Sequence, residues 1–265
     1  MPNYTVCYVR PLDAAFDAAN LPRLNSIRNE ESIGRSHYDG VNVSYRQHMS
    51  HHFSLNANYT LAWANSFGGG GGSFRNYPRL STAPFADYEW GPSPNDERHH
   101  ISLSGIVDLG KGFQVSPILQ FGTARPYSVT SATNVLNTGG GTANAVIVPK
   151  SDPTNYLAFS GDDRGAEDCF YNTQQCTIAK FDSLRGDKFF QLDTRIAKNI
   201  KIGEGRNLQL IAQFFNLTNR ANYGSNFHND IQSPDNFGTP AGFINPSSTI
   251  IPRSFQSEFG FRFTF

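Results

Sequence analysis

The residues of this 265-residue chain whose types and spacing could do chemistry are few. Histidines gather in "HMSHH" (His48, His51, His52) and "RHH" (His99, His100), which invites a metal reading. A transition-metal site needs about three or four convergent ligands, each oriented by a second shell. Solvated turn and rim histidines are the competing reading, and no metal is expected. Asp162 and Asp163 invite calcium in the same way but sit in a polar stretch with no partner identifiable from sequence. Cys169 and Cys176 in "CFYNTQQC" are spaced for a short hairpin disulfide in an oxidising compartment, or are two free thiols. No histidine or second cysteine pair lies close enough for zinc, and Cys7 has no assigned partner. "DLGKGF" lacks the phosphate-loop spacing, "GEGRNL" lacks the third glycine of a dinucleotide fold, and no G-x-S-x-G occurs. The expectation is no enzyme and no cofactor.

What positions these residues is a set of strands. The chain ends "SFQSEFGFRFTF", with Phe255, Phe259, Phe261, Phe263 and Phe265 alternating with polar or small residues. A period of two makes one face apolar and one wet. The pattern recurs in "VNVSYRQ", "HFSLNANYTLAW", "HISLSGIVDL", "FQVSPILQF", "FQLDTRIAKNIKI" and "NLQLIAQFFNL", and more weakly in "YTVCYVR" at 4–10. Several segments run about 10–12 residues against the usual ~5–6 of soluble strands. At ~3.3 Å per residue and a tilt near ~45°, eleven residues rise roughly 25 Å, the height of an outer-membrane apolar band. Short links at 48–51, 110–112 and 203–206 alternate with long ones at about 64–98, 124–187 and 218–253, as periplasmic turns alternate with extracellular loops. That parity puts HMSHH and RHH at opposite ends of their strands, so they cannot share one ion.

The fold class expected is therefore all-β, an antiparallel transmembrane β-barrel segment of about eight long strands in the bacterial outer membrane. Mean hydropathy is −0.43 and charged residues are 17%, values that alternating strands and polar loops allow. No apolar run approaches the ~20 residues of a membrane helix. With a net charge of zero and no basic run, no nucleic-acid partner is expected. Phe53, Leu55, Tyr59 and Trp63 are assigned to lipid, and Trp63, Tyr127, Phe189 and Phe265 to interface girdles. Lumen-facing candidates are Asn42, Ser44, Arg46, Asn56, Asn58, Gln114, Gln120, Asp193, Arg195, Glu258 and Arg262. Within that set Asp193 with Arg195, and Glu258 with Arg262, are expected to pair within or across strands. Aromatic loop residues Phe67, Phe74, Tyr77, Phe85, Tyr88 and Trp90 either stack on a ligand or pack the loops.

Four segments resemble the carboxyl-terminal half of a TonB-dependent outer-membrane receptor, in the Oar-like group with an amino-terminal carboxypeptidase-regulatory-like domain. They are "GRSHYDGVNVSYRQHMSHHFSLNANYTLAWA", "PNDERHHISLSGIVDLGKGFQVSPIL", "FFQLDTRIAKNIKIGEGRNLQLIAQFFNLTNRANYG" and "FGFRFTF". "FNLTNRANYG" (Phe215–Gly224) is the most specific. The resemblance implies a 22-stranded barrel around a plug, uptake of a large or scarce solute, and a TonB complex engaged only through the plug. It also implies that Phe259, Phe261, Phe263 and Phe265 are the signal read by the barrel assembly machinery. The bilayer and lipopolysaccharide are the other expected partners.

No basic stretch followed by an apolar core opens the chain, so no signal peptide is recognised, and residues 1–265 are expected to be the last part of a longer barrel. Two alternatives stand beside this: a self-contained eight-stranded barrel with a structural or adhesive role, and a soluble β-sandwich or ligand-binding module.

Overall fold

The computed structural model describes residues 17–20, 35–67, 79–80, 83, 86–136, 144–244 and 253–265. Two units divide at Gly34. The first is described only at 17–20, a single helical turn. The expected strand at 4–10 and Cys7 lie outside the described residues, as do Phe74, Tyr77 and Phe85.

The second unit holds β1 (Ser36–Ser50), β2 (Phe53–Phe67), β3 (Trp90–Pro92), β4 (His99–Gly110), β5 (Phe113–Gly122), β6 (Pro126–Tyr127), β7 (Ile147–Pro149), β8 (Cys176–Ile178), β9 (Leu184–Arg185), β10 (Phe189–Lys201), β11 (Asn207–Phe215) and β12 (Gln256–Thr264). Seven of these are long, and they pair in the order β1-β2-β4-β5-β10-β11-β12, every pair antiparallel. The eighth strand of the sheet is not another long one but the short β3, which extends the end of β2. The sheet is open: among the described residues, β1 and β12 each have one unpaired edge.

The period-two segments become these strands because their backbone hydrogen bonds are met by neighbours while alternate side chains leave on opposite sides. Tight turns join them at one end. His51 and His52 both have positive φ (49° and 68°), the two-residue hairpin geometry whose twist matches the strands. In the next turn Gly112 has φ +82°, and a Cβ there would lie 2.4 Å from the Asn199 carbonyl oxygen. Glycine therefore lets the turn close against β10.

Burial is inverted relative to a protein that folds in water. Along the long strands large apolar side chains stand free: Val41, Val43, Tyr45, Phe113, Leu210, and Phe259 and Phe261 at 76% exposure. The buried apolar residues, Ala62 and Ala197 apart, belong instead to the long loops. Val135, Leu136, Ala145, Ile147, Ala166, Cys176 and Ile178 form one cluster, and Val129, Val146, Val148, Ala179 and Ile231 a second. A sheet that exposes its greasy face while its loops hold the core has hydrocarbon, not water, as its solvent.

The long links are folded accordingly. β6 pairs with β9 and β7 with β8 in two small sheets. A short helix, α1 (Asp163–Glu167), runs into a wider helical turn at Asp168–Asn172, and Cys176 closes back on Cys169 through a disulfide (Cα–Cα 5.4 Å).

Candidate functional site

The site is built from two parts, the polar face of the sheet and the folded loops at its long-link end. Register carries one parity across every strand pair. Ser44 stands opposite Asn58, Asn58 opposite Ser102, Ser102 opposite Gln120 and Gln120 opposite Gln191. The next row runs Arg46, Asn56, Ser104, Ile118 and Asp193. Further down, Ser116 faces Arg195, Arg195 faces Gln213 and Gln213 faces Glu258, while Gln209 faces Arg262. Asn42 faces Thr60, and Gln114 faces Asp108 and Ala197. All eleven lumen candidates thus share one face, and Phe259, Phe261 and Phe263 lie on the other, opposite Ala212, Leu210 and Leu208.

Side chains on the polar face bond across strands. The Asn42 amide donates to Thr60 Oγ1 (2.8 Å), and Ser44 Oγ donates to Asn58 Oδ1 (2.7 Å). The expected ion pairs are not made among the described residues. Asp193 instead accepts from the Gln191 amide (2.7 Å) and the Asn216 backbone N–H (2.8 Å), which leaves Arg195 beside neutral Ser116 and Gln213. Glu258 and Arg262, four residues apart on one strand, make no ion pair with each other either.

Two girdle assignments also change. Phe189 has the parity of Gln191 and so belongs to the polar face, opposite Gly122; Phe190 is its outward neighbour. Tyr127 lies in the short β6 and stacks on Phe227 (5.6 Å), a loop contact. Trp63 stays on the apolar face opposite Asp39, with the Arg98 guanidinium 4.8 Å over its ring. The two histidine groups fall at opposite ends of the sheet: His51 and His52 in a turn, His99 and His100 at the start of β4. His99 Nδ1 meets the Tyr59 hydroxyl (2.9 Å), and His100 Nδ1 lies 2.5 Å from Glu97.

"FNLTNRANYG" proves to be the corner where β11 gives way to its loop. Asn216, fully buried, has φ +48°, and its side chain donates to the Arg220 carbonyl (2.9 Å) and accepts from the Arg220 N–H (3.0 Å). The Arg220 guanidinium grips both oxygens of Asp187 (2.9 and 2.8 Å). Asn222 closes a two-way bond with the backbone of Phe190. Beyond it Gly186 and Gly224 meet so closely that a Cβ on Gly186 would lie 2.0 Å from the Gly224 oxygen. The segment locks the last long loop to the head of β10.

The loops interlock into one body. Thr130 bridges Asp230, Ser160 Oγ donates to the Ile231 carbonyl (2.5 Å), and the Asn229 amide donates to the Ser128 carbonyl (2.7 Å). Residues from the first long link enter as buried charge. The Arg79 guanidinium donates to the carbonyls of Ala179 and Tyr88, stacks over Phe181 (3.9 Å) and lies 3.5 Å from the Glu89 carboxylate. Asp96 is held by Arg185 (2.6 Å) and by the backbone N–H of Ala64 (2.9 Å). Asp182 accepts from Ser128 Oγ (2.7 Å), and its other oxygen is buried without a partner. Burial pushes its carboxyl up to about 6, against the Ser128 bond and the charges of Arg79 and Arg185. Burial raises Glu89 too, with Arg79 opposing. Of these residues only Tyr88, as a packing aromatic, was legible in the sequence. Arg79, Glu89, Asp96 and Asp182 lie in unpatterned stretches, and their partners are remote.

An open antiparallel sheet with one exposed apolar face, one polar face, tight turns at one end and folded loops at the other defines the class: an integral outer-membrane β-barrel protein. Comparison with protein families gives the narrower result. The model of the outer membrane beta barrel domain matches residues 5–256, and the chain belongs to that family. A search of curated proteins found no match.

Proposed function

We propose that the chain supplies barrel wall and extracellular vestibule to a TonB-dependent transporter that takes up a large or scarce solute. The observation that carries this reading is the single polar face running through seven strands beneath a folded loop body. A wall of that width, open at both edges, suits a barrel wide enough for a solute path rather than a side-chain-filled one. The four quoted segments, above all the locked corner at Phe215–Gly224, support the transporter assignment by resemblance. In this reading the loop body faces outward near lipopolysaccharide, and the short turns face the periplasm. β12 is presented to the barrel assembly machinery, and TonB is reached through a plug carried elsewhere in the protein. No catalytic role is proposed.

The test is to express residues 1–265 behind a signal peptide and assay heat-modifiable migration of the membrane fraction. The expected result is no compact band until the upstream coding region is supplied, after which the restored barrel cross-links to TonB in cells. A compact, heat-sensitive band from residues 1–265 alone would overturn the reading in favour of a self-contained barrel.

A further inference from the structure

At the short-turn end of the polar face lies a cleft of about 730 Å³ between the turn at 110–112 and the turn at 202–206. Lys111, Lys201 and Arg206 line it together with Asn199, Asn207 and turn glycines, and neither an apolar side chain nor a carboxylate does. Among the described residues none of these three cations has a carboxylate within salt-bridge distance. The acidic side chains at this end among the described residues are Asp108 and Glu204. Asp108 lines an adjoining smaller cleft, where its Oδ1 accepts from the Gly110 N–H of its own turn (2.9 Å). Arg262 and Arg46 add two further cations to the same end of the face without an ion pair among the described residues.

Parity says which side the cleft serves. Lys201 pairs with Asn207, and Asn199 with Gln209, all on the polar face. Lys198, which is on the apolar face, instead folds over Phe113 (4.0 Å) and donates to the Lys111 carbonyl. Lys201 and Asn199 therefore put the strand side of the cleft on the polar face, while Lys111 and Arg206 stand in the two turns that close it.

We infer that this cleft is a binding site for a small polyanion, a solute bearing phosphate or clustered carboxylate groups, held by Lys111, Lys201 and Arg206 at the periplasmic mouth. Three cations lining one cleft, none with a carboxylate within salt-bridge distance, repel one another, and an anion relieves that repulsion with charge-assisted hydrogen bonds. No aromatic or branched aliphatic side chain lines the cleft, which argues against a solute recognised by the shape of its apolar surface. The inference rests on the transporter reading, because it names the chemistry of what passes along the polar face.

The test uses the membrane-assembled barrel that contains residues 1–265, in phosphatidylcholine proteoliposomes, with radiolabelled pyrophosphate as the probe. Wild-type barrel is expected to bind it saturably and more weakly as salt rises. Lys201→Gln with Arg206→Gln is expected to weaken binding about tenfold or more. Lys150→Gln with Lys188→Gln, at the loop end, is expected to leave it unchanged. No saturable binding by wild type, or undiminished binding by the Lys201/Arg206 variant, would overturn the inference. Cross-linking of the same barrel to TonB in cells separates the two readings. Binding through Lys201 and Arg206 in a barrel that does not cross-link to TonB keeps the anion site and sinks the transport role; cross-linking without binding does the reverse.

Discussion

Asp182 is a carboxylic acid placed where ionisation is costly, with one oxygen bonded to Ser128 and the other unpartnered. Its ordinary value near 3.8 rises to about 6 in the folded loops. Between those values the folded state holds the proton that the unfolded state has lost, so stability falls as pH rises from about 4 to about 6 and is level above. The loss is on the order of 2–3 kcal/mol, and Glu89, raised by burial, acts in the same sense. Hydrogen exchange across 126–185, corrected for intrinsic rates, should show more protection at pH 5 than at pH 7. Asp182→Asn, which keeps the acceptor for Ser128, should shrink the difference to the part left by Glu89, and a wild type already flat would refute this. Asn216 poses the opposite problem, a backbone twist that asparagine tolerates and alanine does not. Asn216→Ala should cost about 2–4 kcal/mol in urea titration, from lost hydrogen bonds plus φ +48°. Asn216→Gly, free of the backbone strain, should cost less. Neither role was legible beforehand: "FNLTNRANYG" stood out by likeness, but nothing in it revealed that Asn216 and Asn222 tie the loop after β11 back to β10.

Elements were legible where side chains obey a period. The seven long strands follow the alternation because each residue answers only to its own two sides, and even the misassigned Phe189 is recovered by counting from Gln191. The loops escaped because their core is non-local. Val129, Val146, Ala179 and Ile231 meet from four separate stretches, none with a repeat to read. The two faces of β12 make a direct test of which side is solvent. Phe261 lies near the middle of the strand and is 76% exposed, while Arg262 beside it points the other way. Phe261→Arg should lower folding stability in lipid vesicles by about 2–4 kcal/mol if that face meets the bilayer midplane. Arg262→Gln should change it by less than about 1 kcal/mol. Equal costs would mean that the sheet does not separate lipid from lumen. Reduction of Cys169–Cys176 concerns the loops alone. Opening that short ring should cost about 2–3 kcal/mol locally and admit protease near 168–176, with heat-modifiable migration of the strands unchanged.

At the scale of the whole molecule, direction along the chain decides what can complete the sheet. β1 runs from the loop end to the turn end, and because every pairing is antiparallel the strands at odd places in the sheet do the same. β12 is the seventh in order, so both edges run the same way. Joining β1 to β12 would make a parallel pair in an otherwise antiparallel sheet. A second copy inserted in the same orientation meets the same obstacle at either edge. Unpaired N–H and C=O groups cost several kcal/mol each in hydrocarbon, so neither edge can be left bare. The sheet therefore needs an odd number of further strands: one for the self-contained barrel, many for the transporter wall. Cysteines at Val43 and Phe261, or at Val41 and Phe259, in a Cys7→Ser background, test this by oxidation in the membrane. The expected outcome is no cross-link within one chain, because at least one strand must stand between β1 and β12. A cross-linked monomer would show that the two edges meet, and the direction argument would fail with it.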